Sequence, residues 1–247
     1  MRAFLPSLLM LVSCVCFAAS DISELKEDDV VSNNQILFGK NIVPLPAGEW
    51  TVAYAKSSQM KIDLGESDVR NNGPFHDVYL ARTDKNKLTG MVNIYGAPRL
   101  YNSVDASGFS DCDRDTKHYA VAQYGTTSAF PKCSYIDLSS GVMRDGTKLG
   151  KIWSDVQATN DNAPASFVVL AYRKAERQSK FAIDFYFAPE QLGFSKEDSW
   201  DPDHLSDKQK AYLTKANVWL NEVVQRLKDN LNGDAKNLAL PEFPTAL

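Results

Sequence analysis

Residues Phe167 to Phe187 read FVVLAYRKAERQSKFAIDFYF, and this stretch decides the architecture. Two apolar, aromatic-rich runs flank a polar one, Arg173 to Lys180. Such runs fit a pleated, half-buried surface and read as the two strands of a hairpin. In the second run Phe181, Ile183, Phe185 and Phe187 share one face, because side chains alternate along a strand. Ala182, Asp184 and Tyr186 share the other. The phenylalanine stripe reads as sheet core rather than ligand platform, since large apolar side chains sit inside by default.

A second hairpin precedes it. Val78 to Ala81 runs into a polar turn, Asp84 to Lys87, and Met91 to Tyr95 returns. The two hairpins space their residues alike: Leu80-Ala81 lies ten positions before Gly90-Met91, and Leu170-Ala171 ten before Lys180-Phe181. Further upstream, Trp50, Val52 and Tyr54 alternate with smaller residues, and so do Met60, Ile62 and Leu64. The intervening Ser57-Ser58-Gln59 suggests a turn between two strands. Ile36 to Lys40 is strand-like, Pro44 to Gly48 is a turn by its prolines and glycine, and Glu66 to Pro74 reads as loop. Tyr119 to Tyr124 and Ser134 to Leu138 are weaker strand candidates.

After Leu205 the period changes. Ser206-Asp207-Lys208-Gln209 has the form of a capping box, with Ser at the cap and Gln three later. Tyr212, Ala216, Trp219, Val223 and Leu227 then recur at steps of three and four, widened by Leu213, Leu220, Val224 and Leu231. Gly233 supplies a stop. The spacing predicts a helix from about Asp207 to Asn232 that lies across the sheet. The fold class is α+β: an antiparallel, hairpin-built sheet with one long C-terminal helix on one face. Such a sheet leaves its other face to meet water or a partner. No long Ser/Gly/Pro linker interrupts the chain, so residues 36–247 read as one domain, preceded by a polar arm, 21–35.

Residues 1–20 read as a cleaved secretory signal: Arg2, an apolar run to Ala19, and a polar switch at Asp21. Small residues allow cleavage after Ala18 or Ser20. Leu11-Val12-Ser13-Cys14 also resembles a bacterial lipobox, which would make Cys14 a lipidated first residue. A single positive charge and the apolar residues after Cys14 argue against it. The localisation expected is therefore exported, periplasmic or secreted, with a membrane-anchored lipoprotein as the alternative. Beyond the leader only Cys112 and Cys133 remain, and in an oxidising compartment two cysteines pair. Two free thiols, or half of a metal site, is the alternative.

The chain has 247 residues, 44% of them hydrophobic and 23% charged, as in folded soluble proteins. Its net charge of -4 excludes nucleic acid as a main partner, because phosphate neutralisation needs a basic surface. No Gly-x-Ser-x-Gly elbow, phosphate-cradling glycine loop or zinc spacing occurs, and no cofactor is expected. Asp111, Asp113 and Asp115 match the first three ligand positions of a calcium loop. Thr116 and Ala122 then break the pattern where Gly and Glu are wanted, so no metal is assigned. The three histidines, His76, His118 and His204, are the only candidates for a base in an exported hydrolase. Tyr101, Phe109, Trp153 and Trp200 lie in or near loops and are the first candidates for a ligand groove. The leading functional expectation is an exported, non-catalytic binding or envelope-associated protein, its ligand a protein or small molecule. The alternatives are that hydrolase, or a subunit of an envelope complex held to the membrane through Cys14.

Overall fold

The computed structural model describes residues 19–31, 33–63, 69–84, 87–102, 112, 119–124, 132–140, 166–195, 197–231 and 239–242. Their strands are β1 (Ser20–Asp21), β2 (Val30–Val31), β3 (Gln35–Phe38), β4 (Asn41–Pro44), β5 (Trp50–Asp63), β6 (Val69–Asp84), β7 (Lys87–Ala97), β8 (Ala120–Gln123), β9 (Lys132–Ser140), β10 (Ser166–Glu176) and β11 (Ser179–Phe187). One long helix follows, α1 (Asp207–Leu231). Eight strands form an antiparallel sheet in the order β2-β5-β6-β7-β11-β10-β9-β8, and β1-β3-β4 form a smaller sheet. In the large sheet two three-strand meanders, β5-β6-β7 and β9-β10-β11, meet last strand to last strand along the β7–β11 pair. The two hairpins with similar spacing thus lie side by side.

The ladder between β10 and β11 runs from Val168↔Phe187 to Glu176↔Ser179, leaving Arg177 and Gln178 as the turn. Most of the polar stretch expected as loop is therefore strand. Its charges mark no turn because Arg173 and Asp184, diagonal neighbours in this register, bond to each other. A second correction concerns Ser57-Ser58-Gln59. β5 does not turn there; these residues pair with His76, Phe75 and Pro74, so one 14-residue strand replaces the expected hairpin. Their side chains are exposed, and a polar residue facing water suits a strand as well as a turn. Likewise Val69 to Pro74, expected as loop, belongs to β6. Asn41 to Pro44 forms a strand folded back on β3 after Gly39 at φ 65°, and it takes in Pro44, the first residue of the expected turn. The polar segment 21–35 is woven in: Ser20 and Asp21 pair with Ile36 and Leu37, Val30 and Val31 with Thr51 and Trp50, and Ile22 and Val31 are buried.

One face of the large sheet carries the main core. Phe181, Ile183, Phe185 and Phe187 lie in it with Val92, Ile94, Val168 and Leu170. Helix α1, about 38 Å long at ~1.5 Å per residue, buries Tyr212, Ala216, Trp219, Val223 and Leu227 here. Trp219 meets Phe185 and Phe187 edge-on at 5.1 and 5.9 Å between ring centres. The capping box forms as spaced: Gln209 N donates to Ser206 Oγ, and Ser206 N donates to Gln209 Oε1. The small sheet adds Ile36, Phe38 and Val43 to the same core, with Phe38 edge-on to Phe181. No helix among the described residues is long and apolar enough to cross a membrane.

The opposite face is not left to water. Leu88, Met91, Phe167, Val169 and Tyr186 form a second buried cluster there, with Tyr54 and Tyr79 half-buried at its side. This face was expected to meet water or a partner, and Tyr186, one of the residues placed on it, lies in this buried cluster.

Candidate functional site

Two constellations of polar side chains stand out, one on each face of the large sheet. The first is built around Arg173 on β10. Arg173 is 3% exposed and Asp184 on β11 is 5% exposed. The guanidinium donates from Nη1 to Asp184 Oδ1 at 2.5 Å and from Nη2 to Oδ2 at 3.1 Å, a two-pronged pair. Nη2 also donates to the Tyr135 hydroxyl at 2.7 Å, and the Tyr186 hydroxyl donates to Asp184 Oδ2. The rings of Tyr95 and Tyr135 each lie 5.2 Å from the guanidinium carbon. Burial works against the charge on Arg173, but Asp184 and the flanking tyrosines outweigh it and hold the group cationic. Burial, reinforced by Asp184, pushes the Tyr186 phenol far up, so it stays a neutral donor. Tyr79, raised by burial and then by Asp77 and Asp184, behaves alike. Charges balanced in this way brace the sheet, joining β9, β10 and β11 through side chains.

The disulfide stands beside this network. Cys112 and Cys133 are bonded, with Cα atoms 5.8 Å apart, and pack with Tyr135 and Ala171. Cys133 pairs directly across from Arg173.

The second constellation lies at the edge of the main core. Ser57 on β5 and His76 on β6 are cross-strand partners, and Ser57 Oγ is 2.8 Å from His76 Nδ1. Ser57 is exposed, while His76 is 4% exposed. Burial lowers the imidazole pKa, and Asp21 on β1 opposes that shift. Asp21 Oδ1 accepts bonds from the amide and hydroxyl of Ser23, which fix the carboxylate. Near Gly96, which pairs with both His76 and Phe181, a side chain would collide with Lys180. A Cβ there would lie 2.1 Å from Lys180 O, and φ is +144°.

Of the residues singled out for a ligand groove, two are described, Tyr101 and Trp200. Tyr101 is exposed, its amide bonded to Asn72 O beyond β7. Trp200 is buried, packed edge-on against Phe194 and Tyr212 at the start of α1. Phe109, Trp153, His118, Asp111, Asp113, Asp115 and Cys14 lie outside the described residues. His204 is exposed and bonds Asp201 Oδ2 at 3.0 Å in the turn before α1. Sequence reasoning missed Ser57 because it placed a turn at 57–59. It missed Arg173 because it assigned that residue to a loop. The signal was Asp184, a lone carboxylate in the apolar run Phe181 to Phe187 that needs a cationic partner once buried. Compared with known proteins, the chain matches no family model, no curated sequence and no solved structure.

Proposed function

We propose that the chain is an exported, disulfide-bonded binding or envelope-associated protein. The observation that carries this is the buried Cys112–Cys133 bond, since disulfides persist in oxidising compartments. The apolar leader at residues 1–20 supports the same route. The Arg173–Asp184 network supports a scaffold role, because its charged groups are satisfied by each other and by tyrosines. A second reading, an exported hydrolase, is favoured by the Ser57–His76 bond.

Cell fractionation with mass analysis of the recovered chain tests the export reading. The expected product is an extracytoplasmic chain starting near Ala19 to Asp21, with no free thiol. An acylated Cys14 would place it on a membrane instead. Recovery from cytoplasm with Met1 attached and two free thiols would overturn the proposal.

A further inference from the structure

We propose that Ser57 is a nucleophile toward carboxylic esters, with His76 as its general base. This rests on the hydrolase reading and names its substrate class and its reacting atom. Nucleophilic serine needs a base within hydrogen-bond reach, and the 2.8 Å contact to His76 Nδ1 supplies it. The serine must also meet solvent, and Ser57 does, whereas the imidazole behind it is buried. Burial keeps that imidazole neutral near pH 7, the form that accepts a proton. Asp21 is a positioning residue: its negative charge favours the imidazolium that forms as Ser57 attacks.

The strand edge supplies the remaining part. β2 pairs with β5 only at Trp50 and Thr51, with Val52 bonded to Asp28 and Asp29. Beyond Val52 the outer edge of β5 has no strand partner among the described residues. Alternate backbone N–H groups along Lys56 to Gln59 therefore point outward beside Ser57. An edge N–H of this kind, one residue or less from Ser57, is the class of donor that an ester oxygen needs as it becomes an oxyanion.

The step balances without a further reagent. Ser57 Oγ bonds to the acyl carbon while its proton passes to Nδ1. The bond from that carbon to the leaving alcohol oxygen breaks, and the alcohol takes the proton. Water repeats the sequence: its oxygen bonds to the acyl carbon, its proton goes to Nδ1, and Ser57 departs reprotonated, releasing the carboxylic acid.

The test uses the oxidised mature chain, p-nitrophenyl acetate, and a fluorophosphonate located by peptide mass mapping. Expected results are an adduct on Ser57 and ester hydrolysis that falls roughly 100-fold in Ser57→Ala. That exposed substitution leaves the fold intact, which a thermal melt checks. Hydrolysis should decline on the acid side with a midpoint below 6.5, and Asp21→Asn should move the midpoint lower still. Undiminished hydrolysis in Ser57→Ala, or an adduct elsewhere only, overturns this assignment and leaves the hydrolase reading standing on another residue. Absence of both hydrolysis and adduct in the unsubstituted chain overturns both.

Discussion

Arg173 and Asp184 hold each other where neither could stand alone. Removing one partner leaves the other charge buried, which costs about 3–5 kcal/mol. Asp184→Asn should therefore lower the urea unfolding free energy by that order. Replacing both, Arg173→Met with Asp184→Leu, should cost clearly less than the two single changes summed, as a double-mutant cycle reads directly. His76 makes a prediction of sign. Its folded pKa lies below the ordinary value of 6.5 because the ring is buried. As pH drops below about 6.5 the unfolded chain takes up the proton first. Stability should fall on acidification and level off once the folded imidazole is also protonated. Urea midpoints between pH 7.5 and 5 check this, and His76→Asn should flatten the slope. None of these partnerships was legible from composition. A lone histidine in a strand looks the same whether it faces Ser57 or water; only the register of β5 on β6 tells.

The elements differ in how plainly they could be read. Helix α1 was legible to within a residue because its signals agree: a capping box, a 3.6-residue stripe and a glycine stop. The β10–β11 hairpin was legible in its apolar halves and misread in its charged centre, where ion pairing rather than solvent satisfied the charges. β5 was misread because alternation persists through small polar residues as readily as it stops at them. Trp219→Ala should cost about 3–5 kcal/mol, since it removes two edge-on contacts from the core. Ser206→Ala should cost only about 1 kcal/mol, the worth of one cap. Denaturant titration of the two variants should rank them in that order with similar slopes.

At the scale of the whole molecule the Cys112–Cys133 bond joins residues 21 positions apart. In the chain-entropy account that is worth about 3 kcal/mol. Reduction should lower the melting temperature by roughly 6–12 °C for a chain of this size, and an unchanged melt would show that the bond restrains little. Which residues meet across the molecule was the least legible layer, because pairing between distant strands leaves no local mark. The seam where β7 meets β11 is the case in point: it joins Ile94 to Ile183 and Asn93 to Asp184, partners far apart along the polypeptide. Each meander can zip from strands that are neighbours in sequence, but the seam needs β11 to find β7 across the whole of the intervening chain. Pairings this distant slow folding toward milliseconds to seconds. Until that seam closes, β7 and β11 both present unpaired backbone edges, the kind of edge to which another chain can add.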